Sequence, residues 1–407
     1  MVNGGLFGVQ TFRFGRDEIF GVQTFRFGRD EIFGVQTFRF GRDEITVCQI
    51  LEKNYMNKNR EKFLKKLLNT PSPSGFEQPA AKIFRKRVKG HADAIERDVH
   101  GNSYAILNPT AKFKFMLAGH IDEIGLMITH IDTKGFLYVA QVGGLDSTLL
   151  VGQRVTILNA NAKVLGVVGR KAIHLMTSEE SREPVTMENI WIDIGVNNKK
   201  EASKMVAVGD PMVIDVGYKR LGKDKIIARG CDDKAGAFIV AEVIRSLAKK
   251  NLKVSVIGVA TVQEEIGLRG ATTSAYNVNP DAGIAIDVSF TSDHPETNPN
   301  KIGDIKIGKG PILHRGPNIN PVLEHGLFAT AKRRKINCQV AAEPQATGTD
   351  ADAIQLVHGG AATGLIGIPN RYMHTPIEVL SLKDLDNIIK LLVGYIETLP
   401  ASQDFRP

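Results

Sequence analysis

The chain is predicted to be α/β, a mixed sheet with helices on both faces that carries an inserted small β-barrel. Short, β-branched runs with nearly continuous apolarity predict the sheet: Lys114-Phe-Met-Leu-Ala-Gly119, Val254–Val262, Asp281–Ile286 and Ala362–Ile368. Such runs suit parallel strands covered on both faces. Between about Glu123 and Val216 the texture changes to short alternating runs, among them Phe136–Ala140, Arg154–Leu158 and Met212–Val216. Gly, Asn and Asp turns separate them, which predicts a small barrel or sandwich. Finally, acidic or histidine clusters sit where strand-like runs stop: His120-Ile-Asp122, Cys231-Asp232-Asp233, Glu264-Glu265 with Asp287 soon after, and Tyr372-Met373-His374. In open α/β sheets the crevice outside the carboxyl ends of the strands collects residues distant in sequence.

Taken from the start, Phe7-Gly-Val-Gln-Thr-Phe-Arg-Phe-Gly-Arg-Asp-Glu-Ile19 recurs unchanged at 20–32 and 33–45. Identity without drift points to a recent duplication or a gene-assembly artefact rather than a functional array. Its Gly-Arg-Asp turns and alternating aromatics favour hairpins that are marginal without a packing partner. Residues 1–55 are therefore expected to be a disordered appendage. Met56–Leu68 reads as the first helix, with Phe63, Leu64, Leu67 and Leu68 as its apolar stripe. Thr70-Pro-Ser-Pro-Ser-Gly75 ends it, since proline cannot continue the ladder.

A second helix is expected over Lys234–Lys250, where good helix formers follow an acidic start and lysines close the run, matching the macrodipole. Asp232 then falls at a strand-to-helix junction. The organisation expected is a catalytic α/β domain over 56–122 and 217–407 with the β domain, 123–216, inserted into it. Trp191 falls inside the insert and is expected to pack in its core.

At 407 residues, with 43% hydrophobic and 24% charged residues, the composition is globular and exceeds one ordinary domain. No apolar stretch reaches the roughly 18 to 20 residues of a membrane helix. The start lacks the basic-then-apolar order of a signal peptide, and the cysteines, Cys48, Cys231 and Cys338, are odd in number and scattered. A cytoplasmic protein without a membrane partner is expected. The net charge of +8 invites a nucleic-acid reading. However, Arg85-Lys-Arg-Val-Lys89 and Lys332-Arg-Arg-Lys335 sit in helix-like segments with few aromatics, so they read as solvated helix faces and no nucleic-acid partner is expected.

Two histidines and several carboxylates, with no thiolate required, suit divalent ions such as Zn²⁺ or Co²⁺. Of two adjacent glutamates, one can bind metal while the other stays free to move a proton. A ligating histidine also needs a partner on its other nitrogen.

Five segments, Gly119-His-Ile-Asp-Glu-Ile-Gly125, Arg229-Gly-Cys-Asp-Asp-Lys-Ala-Gly236, Thr261-Val-Gln-Glu-Glu-Ile-Gly267, Gly348-Thr-Asp-Ala-Asp-Ala353 and Ile368-Pro-Asn-Arg-Tyr-Met-His-Thr-Pro376, resemble the M42 metallo-aminopeptidases. These are the tetrahedral, glutamyl or deblocking aminopeptidases, some of them labelled endoglucanase-like. The resemblance runs from about Asn59 to Leu399. It implies a zinc-peptidase-like catalytic domain, a PDZ-like inserted barrel that mediates assembly into a homo-oligomer, a dodecamer, and two divalent ions per subunit.

It also implies roles. Asp232 bridges both ions, His120 and Asp287 complete one set, and Glu265 and His374 complete the other. Glu264 is the general base and Asp122 orients His120. The function so implied is hydrolysis of N-terminal residues from short peptides by a metal-activated water. A related dinuclear deacylase or carboxypeptidase would use the same ligands. A glycoside hydrolase needs two unliganded carboxylates flanking the bond, whereas most candidates here are committed to metal.

Overall fold

The computed structural model describes residues 56–159 and 162–407 in full. Within residues 1–55 it describes the backbone of the strands Val9–Arg13, Ile19–Phe27, Glu31–Phe40 and Asp43–Gln49, paired antiparallel in that order. The expectation that this segment is a disordered appendage otherwise falls outside the described residues.

From Tyr55 onward the chain is one compact unit. Its centre is an eight-stranded mixed sheet in the order Gln339–Ala342, Ile312–Arg315, Ala362–Asn370, Ala282–Phe290, Lys114–His120, Ser255–Thr261, Ser103–Leu107 and Ala94–Arg97. The four strands legible as apolar runs are neighbours and parallel. Ser103–Leu107 and Ile312–Arg315 flank them antiparallel.

Alternate side chains leave the sheet on opposite faces. Phe115 and Leu117 enter the larger core, beneath the helices Lys58–Leu68, Gln78–Val88, Cys231–Leu247, Pro321–Arg334 and Leu382–Ile396. Met116 and Ala118 enter a smaller core with Ala275 and Ile354 of the helices Arg269–Val278 and Asp350–Gln355. Burial on both sides is why these strands lack polar alternation.

The helix after the second cluster spans Cys231–Leu247, but Asp232 and Asp233 have non-helical φ/ψ, so the regular helix begins at Lys234 as expected. Two glycines let it lie close to the sheet. A Cβ on Gly119 would stand 2.5 Å from the carbonyl carbon of Gly236 and 2.7 Å from Ala237 N. That closeness brings the end of the His120 strand against the start of the helix.

One sheet assignment is corrected. Asp232 does not follow a strand of the main sheet: the preceding strand, Lys225–Ala228, pairs with Glu378–Ser381 and Lys219–Leu221 in a separate three-stranded sheet. Nor does Asp287 end its strand, which continues to Phe290 in register with Asn370.

The strands Gly125–Ile131, Leu137–Val142, Arg154–Leu158, Lys163–Arg170, Ile190–Asp193 and Pro211–Ile214 close into an antiparallel barrel. Leu126, Ile128, Leu137, Val155, Ile157, Val168, Ile190, Ile192 and Met212 fill it. Trp191, expected in that core, is half-buried on the other face, because strand alternation gives the inward positions to Ile190 and Ile192. Its ring packs edge-on to Phe136, with centroids 6.2 Å apart.

Both basic runs lie at or just beyond helix C-termini, where cations complement the dipole. Arg87 pairs with buried Glu242 at 2.6 Å and Arg334 with Glu397 at 2.7 Å. Among the described residues no helix is long and apolar enough to cross a membrane.

Because the backbone opposite Gly119 cannot yield as a side-chain tip would, Gly119→Ala should destabilise the protein by about 1–3 kcal/mol. The urea midpoint reads this directly. An unchanged midpoint would mean that the strand and helix are free to separate.

Candidate metal centre

The strand ends open onto a cavity of about 710 Å³ whose lining includes Asp232, Glu264, Glu265, Asp287 and His374. His120 closes the strand Lys114–His120, opposite Thr261 in the register, and is 2% exposed. Glu264 and Glu265 follow the strand Ser255–Thr261 after a left-handed turn at Gln263, with φ 54°. His374 is reached through a second such turn, with Tyr372 at φ 66° and His374 itself at 59°. Non-glycine residues held in this region are strained and are kept there by their surroundings.

Asp232 stands at the centre. Its Oδ1 lies 3.0 Å from His120 Nε2, and its Oδ2 lies 3.3 Å from His374 Nε2. The two imidazoles therefore meet different oxygens of one carboxylate. His120 Nε2 is also 3.8 Å from Glu264 Oε2 and 3.9 Å from Asp287 Oδ1, while His374 Nε2 is 3.7 Å from Glu265 Oε2.

Asp122 ties this cluster to the backbone. Its Oδ1 accepts from the amide of Glu264 at 3.1 Å, and its Oδ2 accepts from the amide of Glu265 at 3.2 Å and from the Ser74 hydroxyl. His120 Nδ1 is 3.4 Å from Asp122 Oδ1. All seven residues singled out in the sequence thus converge.

Others were missed. His374 Nδ1 donates to the carbonyl of Gly144 at 2.8 Å, so a loop of the barrel segment orients this imidazole. Glu378 accepts from the amide of Asp232 at 3.1 Å and from Asn370 Nδ2 at 3.2 Å. Asp233 Oδ1 caps the helix through the amide of Gly236 at 2.9 Å, while its Oδ2 has no hydrogen-bond partner. Asp350 takes the Thr261 hydroxyl on one oxygen, and its other oxygen has no such partner. Asp233 and Asp350 were visible as acids inside quoted motifs; Glu378 carried no signal of its own.

Burial in this company shifts several of these carboxyl groups toward their protonated forms. Burial, only partly offset by His120 and reinforced by Asp287, pushes Glu264 up to about 9. Burial and Asp232 push Glu265 to about 10, and Asp287 rises to about 8 chiefly through burial. Asp232 behaves oppositely. Burial opposes its charge, but bonds from His120 and His374 outweigh it and hold the carboxyl below its usual range. Both histidines are correspondingly raised, His120 against its own burial and His374 through its bond to Asp232.

This donor set fits divalent cations. Ligand atoms of His120, Asp233 and Asp287 lie within 4.8 Å of one another, as do those of His120, Asp232 and Glu265. The two groupings share His120 and differ in the other two members, Asp233 with Asp287 in one and Asp232 with Glu265 in the other. Asp232 presents its two oxygens to separate imidazoles, while Asp233 is engaged as a helix cap. Glu265 Oε1 is buried without a hydrogen-bond partner, a cost that coordination would remove.

A positive ion favours the ionised form of each nearby carboxyl. Since Glu265 and Asp287 lie above neutrality without an ion, loading Zn²⁺ at pH 7 should release at least one proton per subunit. Titration calorimetry in buffers of different ionisation enthalpy measures that number, which should shrink as pH rises past about 10. Binding without proton release at pH 7 would contradict these assignments.

The profile of a family described as M42 glutamyl aminopeptidase matches residues 101–391. A lysyl aminopeptidase of Pyrococcus furiosus is 34% identical over 349 residues, covering 84% of this chain and 98% of the relative. The crystal structure of a TET aminopeptidase from a marine sediment thaumarchaeon superposes with a TM-score of 0.81 at 32% identity, over 84% of this chain and 97% of that one. A Pyrococcus horikoshii TET1 peptidase, which can assemble into a tetrahedron or a large octahedral shell, gives 0.76 at 30% identity, over 84% of this chain and all of that one.

Proposed function

Since the chain belongs to the M42 family and is an aminopeptidase, a hydrolase of peptide bonds, we propose that it removes N-terminal residues from short peptides at a site holding two divalent ions, Zn²⁺ or Co²⁺. The observation that carries this reading is the division of Asp232 between His120 and His374. In this reading Asp232 bridges, His120 and Asp287 complete one set of ligands, and Glu265 and His374 complete the other. Ions held there would polarise the scissile carbonyl and make a water more acidic.

The chain's own residues do the rest. Glu264 lies beside His120 without a hydrogen bond to it, and with nearby ions favouring its ionised form it would take a proton from the attacking water and return it to the departing amine. Asp122 sets the position of Glu264 and Glu265 through their amides and steadies His120. The carbonyl of Gly144 fixes the ring of His374.

The sheet domain, 56–122 with 217–407, is on this reading zinc-peptidase-like. The segment 123–216 is a PDZ-like barrel that serves assembly into a homo-oligomer, a dodecamer, in the cytoplasm. Support for assembly is the likeness to a peptidase that forms closed shells.

The test is a panel of aminoacyl-p-nitroanilides with N-acetylated controls, assayed before and after chelation and after Zn²⁺ or Co²⁺ is restored. Activity that survives chelation, or that favours the acetylated compounds, would turn the reading toward a metal-independent hydrolase or a deacylase. A glycoside hydrolase would need carboxylates left free of metal, and Asp232, Glu265 and Asp287 crowd the histidines instead.

Glu264→Gln should keep its metal and lower kcat about 100- to 10,000-fold, the usual worth of a general acid–base group. Metal analysis beside the kinetics decides it, and a variant that turns over normally has lost the proposed base without consequence.

Residues 1–55 supply none of these groups. A chain beginning at Met56 should therefore keep its melting temperature, oligomer size and kcat/KM within about twofold. A large loss in any of them would give the repeats a structural task.

A further inference from the structure

The cavity that holds the Asp232 cluster has a second polar wall. Ser289 lies two residues beyond Asp287 on the strand Ala282–Phe290, on the same face and about 7 Å further along. Its hydroxyl is 2.9 Å from His314 Nε2, and His314 Nδ1 is 3.1 Å from Glu343 Oε1. These residues belong to strands that are not neighbours: the strand Ala362–Asn370 runs between those of Ser289 and His314. The two meet because the residue between them is Gly367, where a Cβ would stand 2.3 Å from Ser289 Oγ and 2.8 Å from His314 Nε2. The relay is therefore built into the sheet and is not a chance surface contact. His314 is 4% exposed, whereas the Glu343 side chain keeps 31% of its surface open.

A neutral imidazole that donates Nδ1–H to the Glu343 carboxylate accepts at Nε2 from the serine hydroxyl. Glu343 makes this contact through Oε1, and its other oxygen accepts no hydrogen bond among the described residues. Apart from the Asp232 cluster, the charged or titratable groups lining the cavity among the described residues are His314, Glu343 and Lys301. Lys301 is exposed on the short helix Pro299–Ile302. Arg315, next to His314, is engaged by Glu324 at 2.7 Å.

We propose that Ser289, His314 and Glu343 form the side-chain recognition wall of this cavity and select peptides whose first residue is lysine or arginine. This rests on the aminopeptidase site proposed above. With the scissile bond at the Asp232 cluster, the first side chain must lie beside it, and a cation on a long flexible stem reaches an anionic carboxylate there. Glu343 receives the cation, Ser289 offers the hydroxyl oxygen, and His314 holds both in place.

The experiment compares kcat/KM on lysyl-, arginyl-, leucyl- and glutamyl-p-nitroanilide for the metal-loaded wild-type protein, Glu343→Gln and Glu343→Asp. The wild type should prefer the basic substrates. Glu343→Gln should lose about 10- to 100-fold on them, mostly in KM, as expected for a lost bond to a charged group. Its turnover of the leucyl substrate should stay within about twofold, and Glu343→Asp should recover part of the basic preference. An equal loss on leucyl and lysyl substrates, or a wild-type preference for glutamyl ones, would overturn the proposal while leaving the metal site standing. No turnover of any substrate would remove the underlying site assignment and this one with it.

Discussion

The constraint on which the structure depends is the burial of Asp232, Glu264, Glu265 and Asp287 around two imidazoles, with none of these four carboxyl groups in an ion pair with a lysine or arginine among the described residues. In a low-dielectric setting such a cluster cannot be fully ionised by itself, which is why Glu264, Glu265 and Asp287 are driven toward their protonated forms. Only a cation, or protons in its place, balances it. The fold contributes rigidity instead of charge: it holds like-charged groups near one another at a distance they would not choose.

That rigidity has identifiable sources. Glu123, next to Asp122, is fully buried and pairs with Lys234 Nζ at 2.6 Å and Arg229 Nε at 3.2 Å, and it accepts the amide of Ser72 at 2.8 Å. Lys234 also donates to the carbonyl of Thr70 at 2.9 Å. Three chain segments, the loop after His120, the junction carrying Asp232 and the turn after the first helix, are thereby tied at one point. Breaking a buried pair of this kind leaves an uncompensated charge and costs about 3–5 kcal/mol. Glu123 and Lys234 thus secure the spacing between His120 and Asp232 without touching either.

Much of this was legible in the sequence because it follows local rules. The central strands show themselves as apolar runs, since burial on both faces removes polar alternation, and the seven converging residues could be found because strand ends gather in one crevice. The rest depended on tertiary pairing. Lys225–Ala228 looks like any other apolar run, and only its pairing with Glu378–Ser381 moves it out of the main sheet and brings Glu378 to the amide of Asp232. Trp191 was misplaced because a large aromatic suggests a core, whereas register decides which face a strand residue takes. Gly367 gives no local sign that it makes room for a bond between strands on either side of it.

The barrel is the instructive case, because the sequence reading set it apart from the chemistry. Its loop after Leu137–Val142 supplies the carbonyl of Gly144 to His374, and a Cβ on Gly143 would stand 3.2 Å from Glu265 Oε2. His374 is the less buried of the two imidazoles, with 43% of its side chain open, and it comes from a strained turn. It therefore has less packing to hold it than His120 and relies more on that one hydrogen bond. A displacement of the barrel against the sheet would turn His374 away from Asp232 Oδ2, while His120, locked between its strand and helix, would stay. Whatever fixes the barrel in place fixes the contact between His374 and Asp232 with it.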